Sequence, residues 1–152
     1  MQLLLQLFLG GLMIGVTVVI HAFVCDFALR LVDRSTTHLK EKLGALWRVV
    51  TLVASVFVIC SALMFEIWLW TFLLYFVESE IFENIESALY FASVCFSTLG
   101  FGDITLSPDW RVLSTALSAN GMLLFGWSSA FIFEIMYELY HRDNGGRRRH
   151  DR

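Results

Sequence analysis

The chain has 152 residues, of which 57% are hydrophobic and 16% are charged, with a formal net charge of −3. A soluble domain is about 45–50% apolar and about 25% charged, so this composition indicates a protein that has the bilayer as its solvent. The three cysteines lie in apolar runs without metal-type spacing, and the four histidines are scattered. We therefore expect neither an enzyme nor a nucleic-acid-binding protein, because no nucleophile, base or metal cluster converges in the water-accessible segments.

The first 25 residues carry no charged side chain. This exceeds the ~20 residues that an apolar helix needs to cross a bilayer. A signal peptide would show a positively charged start and a small-residue cleavage site, and neither is present. We predict an uncleaved N-terminal transmembrane helix over residues 1–30.

A polar connector over residues 31–48 is predicted as a solvated loop or surface helix, and a second apolar run follows over residues 49–77. Only Glu66 breaks that run. A carboxylate inside a membrane span is a candidate functional residue, whereas the alternative is a structural residue, protonated or hydrogen-bonded between helices. The sequence leaves both readings open.

An acidic segment then precedes a short apolar helix, predicted over residues 85–96. The acidic residues are Glu78, Glu80, Glu83 and Glu86. The helix is too short to span a bilayer and leads directly into a glycine-bearing run, residues 98–103. Non-helical backbone exists at membrane depth only where protein buries it or where it lines a cavity, so we predict a re-entrant half-helix.

The last predicted span covers residues 110–140, and residues 141–152 form a basic tail that we expect to be disordered. Ten of the eleven Lys and Arg residues lie in 30–48 or in this tail. Because cytoplasmic segments carry the Lys/Arg excess, three crossings put the connector and the tail in the cytoplasm. The N-terminus and the re-entrant segment then lie outside.

The run Thr98–Asp103 reads T-L-G-F-G-D and resembles the potassium-channel signature T-[VIL]-G-[YF]-G-D. Ahead of it, Ala88–Phe91 is similar to the A-L-W-W run of those channels. Trp110 with Arg111, followed by Gly121 in the last span, resembles bacterial two-helix channels with their inner-helix hinge glycine. The chain thus resembles a potassium-channel pore module over residues 49–140, with an extra N-terminal helix that we expect to pack peripherally.

This resemblance implies an all-α membrane protein with three transmembrane helices, a re-entrant pore helix, a selectivity-filter strand and a homotetrameric pore. It implies a potassium-selective channel subunit of a bacterial inner or plasma membrane, without a cofactor and with potassium as the permeant ion. The ion-binding residues would be Thr98, Leu99, Gly100, Phe101 and Gly102. The first four would supply backbone carbonyls, and Thr98 also its hydroxyl, since rings of such oxygens replace a cation's hydration shell.

The resemblance also assigns supporting residues around the filter and along the last helix. Tyr90, Phe91 and Asp103 would support the filter, with Phe101 pointing into the two aromatic rings. The hinge and inner-pore positions would be Gly121, Met122, Phe125, Ser129 and Phe133. Ordinary helix packing remains an equal alternative for that stripe.

Two other functions remain open, a less selective cation channel of the same fold and a non-conducting membrane accessory protein. Arg147, Arg148 and Arg149 suggest a contact with anionic lipid. The alternative for these arginines is the ordinary charge of a cytoplasmic end.

Overall fold

The computed structural model describes residues 1–150, and for residues 35–41, 45 and 142–150 it describes the backbone alone. This part of the chain contains four α-helices and no β-strand. The helices are α1 (Gln2–Leu43), α2 (Trp47–Val77), α3 (Ile85–Phe96) and α4 (Arg111–His150), with a 3-10 turn at Gly44–Leu46 between α1 and α2. The predicted filter strand is therefore irregular backbone rather than part of a sheet.

The first helix is longer than predicted, because it continues through the polar connector to Leu43. Polar residues mark where a helix leaves hydrocarbon, but they do not break its backbone hydrogen bonds. An ion pair one helical turn apart, Arg30 to Asp26 at 2.8 Å, is compatible with continued helix. The helix ends where Gly44 takes a left-handed conformation with φ of 53°, as glycine commonly does after a last helical turn.

The last helix is also longer than predicted, since its backbone remains helical to His150. The prediction of a disordered tail over residues 141–152 is thus wrong for the described part of that tail. No proline interrupts the helix after Arg111. The side chains of Arg147, Arg148 and Arg149 lie outside the described residues, so their lipid contact stays a prediction.

Three of the helices are long and apolar enough to cross a membrane. These candidate spans are Gln2–Arg34, Trp47–Val77 and Arg111–His141. The remaining helix, α3, has 12 residues and is apolar but much shorter than a span. These helices confirm the predicted fold class, an all-α protein with three helices of membrane-spanning length.

The chain divides into two compact units, and the first comprises Met1–His21 and Ala62–Phe125. It contains α3 and the glycine-bearing run. Its fully buried side chains include Trp70, Leu74, Phe82, Phe96, Leu113, Leu117 and Leu124. Within this unit α1 and α4 run parallel, because successive contacts advance along both helices together.

The second unit comprises Ala22–Ser61 and Gly126–Arg152. Trp47, Ile135 and Leu139 are buried in it. The guanidinium of Arg48 lies 5.4 Å from the ring centre of Tyr140, within range of a cation–π interaction. This basic residue is therefore held against an aromatic face of α4 inside the unit.

Candidate functional site

The short helix α3 begins at a local cap. Asn84 has an extended backbone with φ of −153°, and its Oδ1 accepts the Ser87 N–H at 2.9 Å. The Ser87 hydroxyl donates in return to the Asn84 carbonyl at 2.8 Å. An asparagine at this position satisfies a helical N–H that otherwise has no partner. The cap fixes where α3 starts, and therefore where its carboxyl end delivers the chain.

The carboxyl end of α3 is tied to the glycine-bearing run by backbone hydrogen bonds. The Thr98 N–H donates to the Cys95 carbonyl at 3.0 Å. The N–H groups of Leu99 and Gly100 both donate to the Val94 carbonyl, at 3.0 and 3.4 Å. Three successive N–H groups of the run thus point back toward the helix and satisfy its last carbonyls.

The backbone of the run alternates between positive and negative φ angles. Thr98, Gly100 and Gly102 have positive φ angles of 60°, 56° and 77°, whereas the intervening Leu99 and Phe101 do not. When φ alternates in sign, successive backbone N–H groups lie along one edge of the chain. Glycine adopts positive φ without cost, but a β-branched residue such as Thr98 is strained there. Strain of this kind collects at functional sites, where the surrounding structure holds it.

The carbonyl groups of the run follow from the same hydrogen bonds. In a trans peptide the C=O and N–H of one unit point in opposite directions, and the described chain has no cis peptide. The N–H groups of Thr98, Leu99 and Gly100 point to α3, so the carbonyls of Ser97, Thr98 and Leu99 point away from it. No group of three or more His, Cys, Asp or Glu side chains in the described residues could hold a metal. The ion-binding role of the backbone oxygens of Thr98 and Leu99 stays a prediction.

The inner helix α4 supports the end of α3 at very short range. The Ser118 hydroxyl donates to the Cys95 carbonyl at 2.9 Å. A Cβ added at Gly121 would lie 1.9 Å from the Phe96 carbonyl oxygen, closer than any real contact. Gly121 is thus required for the approach of α4 to α3. It lies inside a continuous helix, and its hinge role stays a prediction.

Tyr90 and Asp103 form a direct link across the site. The Tyr90 hydroxyl donates to Asp103 Oδ2 at 2.7 Å. This hydrogen bond, together with local backbone N–H groups, holds the pKa of Asp103 below its usual range. The sequence placed both residues around the filter, but it did not indicate that one would bond the other.

The predicted contact of Phe101 with the aromatic rings of α3 is not made within one chain. Phe101 exposes 65% of its side chain. Phe91 is buried and pairs with Phe82, with ring centres 5.6 Å apart. Packing of Phe101 on Tyr90 and Phe91 stays a prediction for an assembled pore.

The acidic residues ahead of α3 separate into two kinds. Glu80, Glu83 and Glu86 are exposed. Glu78 is buried and accepts a hydrogen bond from the Ser107 hydroxyl. Glu78 therefore ties the end of α2 to the segment after the glycine-bearing run, and it differs in this from the three exposed acids.

The four predicted inner-pore residues of α4 all have exposed side chains in the single chain. Met122 and Phe125 belong to the first unit, and Phe125 packs edge-on against Phe96 with ring centres 5.5 Å apart. Ser129 and Phe133 belong to the second unit. Each is thus accessible, and a pore-lining role stays a prediction.

Glu66 has a partner that sequence reasoning missed. His21 Nδ1 lies 3.0 Å from Glu66 Oε1, and both side chains are fully buried. The two residues come from α1 and α2, and each is the sole Asp, Glu, His, Lys or Arg in its apolar run. This isolation was the signal in the sequence. The structural reading of Glu66, hydrogen-bonded between helices, fits this geometry.

The short helix α3 leads into a run whose φ angles alternate in sign, and in the sequence both lie between two helices of membrane-spanning length. This order of elements defines an integral membrane protein of the channel class. The sequence model of the family described as "Ion channel" matches residues 46–138, more than half of the chain. The chain belongs to this ion-channel family, with a two-helix pore module of the potassium-channel type. No curated protein and no solved structure matches the chain significantly.

Proposed function

We propose that this protein is the subunit of a potassium-selective channel, which conducts passively through a homotetrameric, carbonyl-lined filter. The observation that carries the proposal is the run from Thr98 to Gly102. Its φ angles alternate in sign, and its first three N–H groups donate hydrogen bonds to carbonyls of α3. The carbonyls of Ser97, Thr98 and Leu99 therefore point away from α3, and such oxygens are the donor set that replaces a potassium ion's hydration shell.

The small number of oxygens that one chain supplies supports an assembly of several chains, and the resemblance to potassium channels implies four. Each carbonyl level of a single run offers one oxygen, so several chains around an axis are needed to surround an ion. The single chain also leaves a cavity of about 410 Å³ beside the run, lined by Val94, Gly100 and Asp103 among others. Phe101 and Met122 are exposed in the same unit. Neighbouring copies covering these surfaces would complete the pore.

The remaining residues take roles around this filter. Thr98, Leu99, Gly100 and Phe101 supply the ion-binding carbonyls, and Asp103 with Tyr90 braces the outer end. Exposed Glu80, Glu83 and Glu86 raise the local concentration of cations at the mouth. The residues of α4 that line the inner pore are Met122, Phe125, Ser129 and Phe133.

The proposed orientation has the N-terminus outside and the C-terminus in the cytoplasm of a bacterial inner or plasma membrane. Charge segregation along the sequence supports it. The parallel run of α1 and α4 is also what two crossings in the same direction require. Arg147, Arg148 and Arg149 would then meet anionic lipid of the cytoplasmic leaflet.

Potassium flux from liposomes tests the proposal. Purified protein is reconstituted beside Gly100→Ala, which forces a Cβ onto a residue at positive φ. The matched control is Gly15→Ala, because that glycine lies in helical backbone with open space around it.

We expect potassium-over-sodium flux in the wild type and in Gly15→Ala, and its loss in Gly100→Ala. Flux that no longer discriminates between the ions in the wild type would indicate the less selective cation channel. Equal flux in all three proteins, or none in any of them under several lipid and pH conditions, would favour the accessory protein.

A further inference from the structure

The first helix contacts α4 at three successive levels inside the first unit. Gln6 Oε1 accepts the Val112 N–H at 2.9 Å, at the beginning of α4. A Cβ added at Gly10 would lie 2.8 Å from the Ala116 Cβ, so these two backbones approach closely. Further along, the Asn120 amide donates from Nδ2 to Thr17 Oγ1 at 2.8 Å. The extra helix is therefore fastened along α4.

The Thr17–Asn120 hydrogen bond has a fixed direction. The Thr17 hydroxyl donates its proton to its own helix, with Met13 and Ile14 carbonyls at 2.9 and 3.0 Å. Its oxygen is thus left as an acceptor for the Asn120 amide. Both side chains are fully buried, so water does not compete for this bond.

Asn120 lies in the turn of α4 that supports the end of α3. Ser118 and Gly121 are three residues apart and therefore share a face, which meets the Cys95 and Phe96 carbonyls. Asn120 lies about 200° of helical rotation from Ser118 and about 100° from Gly121, so it points away from the face that meets α3. Thr17 consequently bonds one face of the α4 turn whose other face contacts the end of α3.

The bond also has a cost that packing alone does not explain. Asn120 Oδ1 is buried and has no hydrogen-bond partner among the described residues. A leucine of similar size would bury no such oxygen, and an unsatisfied buried acceptor destabilises a fold. What the asparagine adds over leucine is a directed bond between α1 and α4.

We propose that Thr17 and Asn120 are positioning residues for ion selectivity. The first helix holds the α4 turn that supports α3, and α3 in turn holds the N–H edge of Thr98, Leu99 and Gly100. Releasing α4 from α1 lets the spacing of the filter oxygens relax. This inference rests on the proposed potassium filter, and it gives the extra helix a role in the pore.

The test compares permeability ratios for potassium over sodium in reconstituted full-length protein. Thr17→Val removes the acceptor at nearly constant shape, and Thr17→Ser retains it. The matched control is Thr71→Val, because Thr71 is equally buried in the same unit but bonds only the Ile67 carbonyl of its own helix. Asn120→Leu removes the other partner of the bond.

We expect the ratio to fall about threefold in Thr17→Val and in Asn120→Leu, the effect of losing one interhelical hydrogen bond in a membrane. Thr17→Ser and Thr71→Val should keep the wild-type ratio, and the double variant should lose no more than either single one. If Thr17→Val does not assemble, Asn120→Leu carries the test with the same expectation.

An unchanged ratio in the assembled variants, or an equal fall in Thr71→Val, would overturn the inference. A wild-type protein that fails to prefer potassium would instead overturn the proposed function, together with any inference that rests on it. The two failures are therefore distinguishable in one series.

Discussion

Thr98 and Gly121 show how two single residues determine the geometry of the site. Thr98 is the one non-glycine residue at positive φ in the described chain, and it begins the run in which φ alternates in sign. Gly121 lets a helix backbone meet the Phe96 carbonyl where no Cβ fits. The first residue accepts strain, and the second prevents a clash, so that carbonyl oxygens are presented beside the end of a short helix.

Replacing Gly121 with alanine should destabilise the protein by about 1–3 kcal/mol, the usual cost of overpacking a tight contact. The added Cβ meets backbone atoms of Phe96, which cannot move as a flexible side chain does. The measurement is thermal unfolding in detergent. Gly126→Ala is the control in the same helix, because its Cβ would meet nothing within 4 Å. Equal unfolding temperatures for the two variants would contradict the close approach.

Tyr90→Phe should make the outer end of the filter sensitive to acid at a higher pH than in the wild type. Asp103 has a lowered pKa because Tyr90 donates a hydrogen bond to its carboxylate. The bond therefore contributes fully to the stability of the folded protein at pH values above the ordinary Asp range. In the wild type that contribution is lost only as the pH falls through the lowered pKa. Without the hydroxyl, Asp103 protonates nearer to its ordinary value.

The measurement for Tyr90→Phe is potassium flux against external pH, with Tyr75→Phe as the control for loss of a hydroxyl elsewhere. The acid limb of the Tyr90→Phe curve should lie at higher pH than both others. Three superimposed curves would show that the link to Asp103 does not affect conduction.

At the scale of elements, the helices differ from the sequence expectation mainly at their ends. The apolar runs locate the three long helices because hydrocarbon requires ~20 apolar residues. They do not locate where α1 ends, since the helix continues past Arg30 until Gly44 takes positive φ. Asn84 shows the reverse case, because a side chain that caps a helix is visible as a residue type in the sequence.

Contacts between helices were beyond reach of the sequence. The positions of His21, Glu66 and Asn120 are readable in the chain, but their pairing depends on how each helix is rotated about its axis. Nothing in a periodic apolar run fixes that rotation, because lipid-facing and helix-facing apolar residues look alike. The sequence therefore indicated that Glu66 was unusual without naming its partner, and it did not indicate which residues of α4 the first helix contacts.

The buried pair between α1 and α2 leads to a prediction about double substitution. His21→Leu alone leaves the buried Glu66 carboxyl without its partner and should cost about 1–3 kcal/mol, the range for leaving a buried polar group unsatisfied. Replacing both residues with leucine removes the isolated carboxyl as well, and it should recover most of that loss. Unfolding in detergent measures all four members of the cycle.

Additive losses in the His21 and Glu66 cycle would argue against a direct interaction. A double variant as stable as the wild type would show that the pair is not needed for folding and that α1 is held by its other contacts. Either result leaves the Thr17–Asn120 test unaffected, because that bond joins α1 to a different helix.

At the scale of the whole molecule, the protein belongs to an ion-channel family and carries a run whose φ angles alternate in sign. We expect it to bind its ion at the proposed filter whether or not the inner mouth is open. Any ligand that binds the folded state alone stabilises it, and the stabilisation grows with the logarithm of the ligand concentration above Kd. Potassium binding can therefore be observed without opening the channel.

The most direct test is the unfolding temperature of the purified, assembled protein against potassium and sodium at constant ionic strength. We predict that potassium raises the temperature roughly with the logarithm of its concentration, that sodium does so far less, and that Thr98→Ala weakens the potassium effect by removing a hydroxyl ligand. Equal stabilisation by both ions in the wild type, or a potassium effect unchanged in Thr98→Ala, would contradict a potassium site at this filter.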